Sequence, residues 1–262
     1  MHASRLRTPR TPRLALAAGL TLAAPFAALA NGPLHGTYVG LDLQADRGER
    51  QSQTTLGGAW ASESQALRDF VSGLDAGARD DSGFGQGLHL GYLHAPADGL
   101  LLGVEFGFEA PGAEVDARVG PTSAATPATL NYTIDAGLDF DRMLVLRGLV
   151  GWQSGDHAFY ASVGGARADL VARTGITSNG GYAKAGLTDD SRSGLHLGLG
   201  WRRALGEHWS IRAEVTQADL GDVEVVNAYL PGSSFTDPAY TERYRIEAEL
   251  RQVRVGVSYR FR

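Results

Sequence analysis

Alternation of apolar and polar residues is clearest in the last stretch of the chain, residues 252–262. Every second residue there is apolar: Val253, Val255, Val257, Tyr259 and Phe261. Successive side chains of a β-strand point to opposite sides, so an extended stretch would carry these apolar groups on one face. The pattern predicts a strand that lies between two different environments.

Seven other stretches alternate in a similar way, so the sequence predicts eight strands in total. They cover residues 36–46, 83–95, 99–110, 130–152, 158–171, 194–203 and a stretch that begins at Trp209. Three short turns alternate with four long polar loops, residues 47–82, 111–128, 172–191 and 221–247. Short turns on one side and long loops on the other are typical of membrane barrels. The predicted fold class is all-β: an eight-stranded antiparallel transmembrane β-barrel with short periplasmic turns and long extracellular loops.

The fourth stretch, residues 130–152, is longer than the roughly 9–11 residues of a membrane-spanning strand. A tight hairpin at Asp141 and Arg142 would give nine strands and place the chain ends on opposite sides. Single-chain bacterial barrels have even strand numbers. We therefore expect one long strand, which crosses the membrane from Leu144 to Trp152 and projects beyond it.

The first long loop contains a pattern that fits a short amphipathic helix. Ser62 and Gln65 fit a capping box at the start of such a helix. The apolar residues that follow recur at helical spacing: Leu67, Phe70, Val71 and Leu74. The pattern favours a helix and an irregular loop about equally.

The first thirty residues differ from the rest of the chain. Four arginines precede an apolar run over residues 14–29, and Ala28, Leu29 and Ala30 offer a cleavage site. We interpret residues 1–30 as a secretory signal peptide and residues 31–262 as one outer-membrane β-barrel domain. A short transmembrane anchor is the alternative, but the run has about 16 residues where roughly 20 are needed, and Pro25 interrupts it.

Composition narrows the range of partners. Beyond the signal peptide, 20 lysines and arginines stand against 29 acidic residues, a formal charge of −9. No nucleic acid is therefore expected as a partner. The chain has no cysteine, so an exported protein of this size must be stable without disulfides. Its 35 glycines favour a strand-built fold.

Aromatic residues gather on the predicted outer faces next to the short turns. This girdle contains Tyr92, Trp152, Trp201, Trp209, Tyr259 and Phe261. Amphipathic rings are enriched where a membrane meets water. The girdle favours a membrane barrel over the alternative, a lipocalin-like soluble barrel with the two faces exchanged.

Charged residues and histidines fall on the predicted inward face near mid-height. The set is Asp42, His89, Glu105, Arg147, His196, Arg212, Glu214 and Arg254. Charges in a low-dielectric interior persist only when they are paired and hydrogen-bonded. We interpret the set as an ion-pair network that plugs the lumen, because eight strands leave room only for side chains. A gated ion path is the functional alternative.

Enzymatic activity is not predicted. An enzyme that modifies lipid A needs a histidine near the outer leaflet to activate its nucleophile or water, but His157 and His208 fall in short turns. Acidic groups that could bind calcium occur at residues 80–81, at residues 189–190, and at Asp135, Asp139 and Asp141. We interpret these as solvated surface, and we predict no cofactor and no metal.

The chain resembles the OmpA-like eight-stranded outer-membrane β-barrel family, which includes porin-like surface antigens of proteobacteria. The similarity is carried by residues 37–41, 103–106, 147–151, 160–166 and 253–261. The resemblance implies insertion by the outer-membrane assembly machinery, which reads a last strand ending in Phe, although Arg262 follows Phe261 here. It also implies roles in envelope integrity, adhesion or slow diffusion.

These observations predict a protein of the Gram-negative cell outer membrane with a structural or surface-interaction role. A narrow porin-like channel is the alternative, and a lipid A-modifying enzyme is a weaker one. The expected partners are outer-membrane lipids and lipopolysaccharide, with a host or surface ligand bound by the outer loops. As a test of facing, the pattern predicts that Val255→Arg costs roughly 2–4 kcal/mol at the bilayer midplane, whereas Ser258→Ala is nearly neutral.

Overall fold

The alternating stretches form ten strands in the structure. This computed structural model describes residues 32–124, 127–234, 236 and 239–261, so the predicted signal peptide lies outside the described residues. The strands are β1 Gly36–Gly58, β2 Gly77–His94, β3 Asp98–Ala110, β4 Glu114–Ser123, β5 Asn131–Ser154, β6 His157–Ser178, β7 Ala183–Leu205, β8 Trp209–Val226, β9 Ala228–Tyr229 and β10 Tyr240–Phe261. A short 3₁₀ helix, Ala59–Ser62, and α1, Gln65–Gly73, follow β1.

Eight of these strands close an antiparallel ring. Its order is β1, β2, β3, β5, β6, β7, β8 and β10, and β10 pairs back to β1 from Phe261 opposite Thr37 to Tyr240 opposite Gly58. Each strand of the ring pairs antiparallel with the ring strand that precedes or follows it in the chain, so the order follows the sequence. The prediction of an eight-stranded transmembrane barrel is therefore confirmed.

The strands are longer than the sequence pattern predicts. Residues assigned to outer loops instead continue the strands, since β1 runs to Gly58 and β4 occupies most of the predicted loop 111–128. β5 is one strand of 24 residues, as expected. The four loops were predicted too long because their outward residues are polar. The small or apolar residues that alternate with them were not recognised as inward positions of a strand.

The part of the ring next to the short turns, which we place at the bottom of the molecule, has an apolar outer surface. We call it the membrane ring. On β10 the outward residues Val253 and Val255 are more than half exposed, whereas the inward residues Gln252 and Arg254 are buried. The apolar outer surface ends at Ala45 on β1, Val215 on β8 and Val253 on β10, where charged or polar outward residues begin. A surface of this kind is expected to meet lipid.

Above that boundary the ring separates into two facing sheets, which we call the outer sandwich. The β2–β3 ladder ends where Gln86 pairs with Ala110, and the β7–β8 ladder ends where Leu195 pairs with Asp219. One sheet then consists of β2, β1, β10 and β8, and the other of β4, β5, β6 and β7. A Cβ added at Gly48 of β1 would lie 2.8 Å from the ring of Phe140 on the opposite sheet, so the two sheets pack directly together.

An apolar layer fills the space between the two sheets. It contains Ala113, Val115, Leu138, Phe140, Met143, Val145, Ala166, Ala168, Leu170, Ala172, Ala218, Leu220, Val223, Val225, Tyr244, Ile246, Ala248 and Leu250. These side chains are at most 3% exposed. The outer sandwich therefore has the apolar core of a water-soluble β-sandwich, above a ring of opposite polarity.

The helix α1 lies at the outer end of the sandwich. Ser64, rather than the predicted Ser62, caps it, since the Ser64 hydroxyl accepts a hydrogen bond from the Leu67 amide at 3.2 Å. Leu67 and Val71 are buried, as their helical spacing predicts. Among the described residues, no helix combines the length and the apolar composition needed to cross a membrane.

Candidate functional site

The eight residues that the sequence places on the inward face all lie inside the membrane ring. Each is at most 4% exposed: Asp42, His89, Glu105, Arg147, His196, Arg212, Glu214 and Arg254. We call this set the ionic layer. Because a charge removed from water needs opposite charges and hydrogen bonds around it, the pairing within the layer decides what the lumen can do.

Two arginines form the centre of the ionic layer. Arg212 donates from Nε to Asp42 Oδ1 at 2.8 Å and from Nη1 to Glu105 Oε1 at 2.8 Å. Arg147 donates from Nη2 to Glu105 at 2.6 Å and from both Nη atoms to Glu214 at 2.8 Å. Hydrogen bonds between two charged groups, above all bidentate ones, are the strongest in proteins. These contacts tie β1, β3, β5 and β8 together across the lumen.

His89 connects the ionic layer to two further groups. Its Nδ1 lies 2.8 Å from Asp42 Oδ2, and its Nε2 lies 2.8 Å from the Ser258 hydroxyl. Because the Asp42 carboxylate can only accept, Nδ1 carries the proton in this arrangement, and in the neutral ring Nε2 accepts from the Ser258 hydroxyl. His89 thus joins β1, β2 and β10.

His196 lies at the same level but does not join the network. It is fully buried, and neither of its ring nitrogens has a hydrogen-bond partner among the described residues. Its neighbours across the strands are Gly164 and Ala218, which offer no side-chain acceptor or donor. The alternation predicts its facing, but facing alone does not determine its contacts.

Glu109 and Arg202 are further charged residues of the lumen that the sequence prediction left out. Arg254 donates to Glu109 at 2.7 Å, and Arg202 donates to Glu105 at 3.3 Å while its guanidinium lies 4.2 Å from the centre of the Tyr38 ring. Glu109 and Arg202 alternate in step with inward residues, so the facing pattern contained the signal. With them, four guanidinium groups face four carboxylates, and each arginine contacts at least one carboxylate within 3.3 Å.

The ionic layer is enclosed at both ends. Towards the short turns it meets a buried apolar cluster: Leu34, Tyr38, Leu93, Ala95, Leu101, Leu149, Ala158, Tyr160 and Ala204. Towards the outside it meets the apolar layer of the outer sandwich. Eight strands leave an interior that side chains can fill completely. The lumen therefore alternates apolar, ionic and apolar levels along its axis.

A third cluster closes the outer end of the sandwich. Trp60 donates from Nε1 to Glu242 at 2.6 Å, the Tyr182 hydroxyl donates to the same carboxylate, and Lys184 Nζ lies 2.7 Å from its second oxygen. Burial, together with the hydrogen bond to Glu242, raises the pKa of the Tyr182 hydroxyl. Lys184 is the single lysine of the chain, and it is buried here. These groups act as a second paired interior layer.

One acidic group has the spacing of a metal site. Oxygen atoms of Glu114, Asp116 and Asp139 lie within 4.8 Å of one another, so only Asp139 of the sequence-derived set Asp135, Asp139 and Asp141 takes part. The guanidinium of Arg173 lies 2.9 Å from Glu114, 3.4 Å from Asp116 and 2.7 Å from Asp139. Arg173 thus supplies the positive charge that these carboxylates need.

The predicted girdle residues lie on the outside of the membrane ring near the short turns. Tyr92, Trp152, Trp209, Tyr259 and Phe261 are exposed, and Trp201 is partly exposed. Phe159, 66% exposed and opposite both Trp152 and Trp201, extends the group. The sequence missed Phe159 because Gly164 and Gly165 left the facing of its strand ambiguous, whereas the β6–β7 ladder has no register shift there.

Solved structures similar to this chain include bacterial outer-membrane proteins. Outer membrane protein OprG from Pseudomonas aeruginosa is 14% identical over 88% of this chain and 98% of that one, with a TM-score of 0.48. The outer membrane protease OmpT from Escherichia coli is 8% identical over 90% and 99%, with a TM-score of 0.46. Ail, the attachment invasion locus protein of Yersinia pestis, is 14% identical over 84% and 99%, with a TM-score of 0.34.

Sequence comparison gives the family. No curated protein matches the chain in sequence. The family model described as "Outer membrane protein beta-barrel domain" matches residues 14–261, which is nearly the whole chain. This match agrees with the closed ring, its apolar outer surface and its paired polar interior. The chain belongs to the family of outer-membrane β-barrel proteins.

Proposed function

We propose that this protein is a non-conducting barrel of the outer membrane with a structural and surface-interaction role. The observation that carries the proposal is the filled interior, in which the ionic layer is enclosed between two apolar clusters. An ion in the lumen would have to leave water and cross levels lined mostly by apolar side chains, which is costly. The interior therefore serves to hold the strands together, and the outer sandwich serves as the recognition surface.

The shape of the molecule supports a role at the cell surface. β10 has 22 residues, about twice the 9–11 that a membrane crossing requires. The excess length forms the outer sandwich, whose outward side chains include many charges and which presents a rigid, polar surface outside the membrane. Specific contacts are expected from such surfaces, because they are held in place by a packed core.

The positions of the histidines support a non-enzymatic role. His35, His94, His157 and His208 lie at the short-turn end, and His89 and His196 are buried in the lumen. None of the histidines in the described part of the chain lies in the outer sandwich. A reaction on lipids of the outer leaflet would need such a group near the boundary of the sandwich.

Planar-bilayer recording tests the proposal. Purified, folded protein is expected to give no reproducible conductance steps, and a porin inserted under the same conditions serves as the positive control. Heat-modifiable mobility on gels establishes that the inserted protein is folded. Regular ohmic steps from the folded protein would favour the narrow channel instead, and altered lipid A acylation on overexpression would favour the enzyme.

A further inference from the structure

Histidines are concentrated at the short-turn end of the barrel. Four of the six histidines in the described part of the chain lie there, and the other two are buried in the ionic layer. β2 ends at His94, β6 begins at His157, His208 immediately precedes β8, and His35 immediately precedes β1. Each of the three short turns therefore adjoins or contains a histidine. We call these four side chains the histidine rim.

Two rings of the histidine rim stack on residues of the aromatic girdle. The centres of the His157 and Trp201 rings are 5.8 Å apart, with 26° between their planes. The centres of the His208 and Tyr259 rings are 5.5 Å apart, with 13° between their planes. Because amphipathic aromatic residues lie where a membrane meets water, these contacts place both imidazoles at the level of the lipid headgroups.

The other two rings of the rim contact each other. The centres of the His35 and His94 rings are 5.5 Å apart, and Tyr92 of the girdle lies edge-on to His35 at 5.7 Å. Burial, together with the nearby His94 and Arg260, lowers the pKa of His35. The His35 ring is therefore neutral at neutral pH.

Hydrogen bonds favour the neutral form of two rings. The Trp201 indole N–H donates to His157 Nδ1 at 3.2 Å, and the Ala95 amide donates to His35 Nδ1 at 3.4 Å. A ring nitrogen that accepts carries no proton, so the single proton of each neutral ring is on Nε2. Protonation of Nδ1 would turn the acceptor into a donor that faces another donor. A second proton therefore breaks these contacts and gives each ring a positive charge.

Fixed charges at this end of the barrel are few. Among the described residues, those around the histidine rim are Asp98, Asp156, Glu207, Arg203 and Arg260. Arg203 lies opposite His157 on β7, and the Arg260 amide of β10 donates to the His208 carbonyl at 2.7 Å. At neutral pH the three carboxylates outnumber the two guanidinium groups. Protonation of the four histidines reverses the sign of the net charge.

We propose that the histidine rim is a proton-gated binding surface for anionic phospholipids in the leaflet on the short-turn side. A free histidine has a pKa of about 6.5, so mild acidification is enough to charge such a surface. The imidazolium groups, held at headgroup level, then attract the lipid phosphates and form charge-assisted hydrogen bonds with them. At neutral pH the rings are uncharged, and the carboxylates repel anionic headgroups. This lipid contact goes beyond the proposed function and does not depend on it.

Quenching of tryptophan fluorescence by brominated lipids tests the proposal. The folded protein is inserted into phosphatidylcholine vesicles that contain phosphatidylglycerol, with bromine on the acyl chains of one lipid or the other. Trp152, Trp201 and Trp209 lie in the girdle and report which lipids surround the rim. The ratio of quenching by the two lipids, taken at each pH, removes any direct effect of pH on the tryptophans. We expect phosphatidylglycerol to be preferred at least threefold at about pH 5 and not at about pH 7.5.

Two double variants separate the charge from the rings that carry it. His157→Gln combined with His208→Gln keeps polar side chains that cannot gain a proton, and we expect at least half of the pH dependence to be lost. His157→Arg combined with His208→Arg makes the charge permanent, and we expect phosphatidylglycerol to be preferred at both pH values. The matched control is Thr37→Gln, at an exposed position of the same end, which should leave the pH dependence unchanged. Heat-modifiable mobility verifies that each variant is folded.

Nitrogen NMR of the histidine rings provides a second measurement. At about pH 7.5 we expect His157 and His35 to carry their proton on Nε2, and we expect the Nδ1 signal of His157 to change to the protonated form at about pH 5. A proton on Nδ1 of these rings at about pH 7.5 would contradict the gating contacts.

Three results of the lipid experiment would overturn the proposal. The first is a phosphatidylglycerol preference that is absent, or equal, at both pH values in the unmodified protein. The second is a pH dependence that survives in full in the glutamine variant. The third is an arginine variant that shows no preference for phosphatidylglycerol at about pH 7.5.

Discussion

The membrane ring and the outer sandwich are built from the same strands with opposite polarity. On β10, Val255 faces outward and Arg254 faces the ionic layer, whereas ten residues earlier Arg245 faces outward and Tyr244 lies in the apolar core. The alternation of faces on β10 does not change between these positions. What changes is the environment on each side: lipid and an ionic lumen below, water and an apolar core above.

The difference also explains why the openings between strands occur only in the sandwich. Unpaired backbone N–H and C=O groups are very costly in hydrocarbon, so a membrane barrel must close completely. Above the boundary, water can hydrogen-bond to free edges, and the wall can separate into two sheets. Those sheets pack on an apolar core, whereas the closed ring is filled by long side chains that must pair with one another.

The largest effect is expected from breaking the ionic layer. Arg212→Met removes the guanidinium that pairs with Asp42 and one of the three arginines that contact Glu105, so we expect a loss of about 3–5 kcal/mol in the free energy of unfolding. Urea titration in phospholipid vesicles, followed by tryptophan fluorescence, measures it. The control is Arg142→Met, which removes an exposed pair with Asp169 and should cause no measurable change. Similar results for both variants would refute a structural ionic layer.

A core substitution in the outer sandwich should have the next largest effect. Leu170→Ala removes a side chain with no exposed surface from the apolar layer, with an expected loss of about 2–5 kcal/mol from transfer and cavity formation. Leu146→Ala is the control, since Leu146 is 61% exposed on the lipid side and leaves no internal cavity. Equal losses in the same urea titration would mean that the sandwich has no packed core.

Placing a charge on the outer surface distinguishes lipid from water directly. Val255→Arg puts a guanidinium against hydrocarbon and is expected to cost about 2–4 kcal/mol near the midplane. Gln51→Arg is outward on the sandwich, opposite Glu247, and should be tolerated. The yield of heat-modifiable, folded protein and its unfolding free energy report both effects. A tolerated Val255→Arg would place the lipid boundary elsewhere.

The smallest effect tests the hydrogen bond of Ser258. Ser258→Ala leaves His89 Nε2 without a partner inside the membrane ring, so we expect a loss of about 1 kcal/mol rather than the near-neutral result that facing alone predicts. Ser193→Ala, at an exposed outward position, is the matched control. If the two variants are equally stable in vesicles, the contact between Ser258 and His89 contributes nothing to stability.

The facing of most side chains could be read from the chain alone. A strand places successive residues on opposite sides, so a pattern such as that of residues 252–261 fixes which side chains share a face. The eight strands and the inward positions of the ionic layer follow from this rule, whereas the single long β5 was predicted from the even strand number of bacterial barrels. Glu109 and Arg202 follow the same rule. They were omitted because the face on which a residue lies gives neither its position along the barrel axis nor the distance that its side chain spans.

The predicted loops were wrong for a reason that lies in the partner strands. Residues 47–58 look like a polar loop because Arg47, Glu49 and Gln51 face water, while the inward positions are occupied by Gly48 and Arg50. Position 48 requires a glycine because a larger side chain would clash with Phe140 and Val115 of the facing sheet. Arg50 likewise is buried by a paired carboxylate, Asp75, at 2.9 Å.

The sequence by itself determined the eight strands of the ring, their antiparallel order and the inside and outside of the membrane ring, because these depend mainly on a local period of two residues. Only the tertiary structure decided where the ring becomes a sandwich and which charges pair. These features depend on residues far apart in the chain, such as Asp42 and Arg212, whose atoms meet only after the ring has closed.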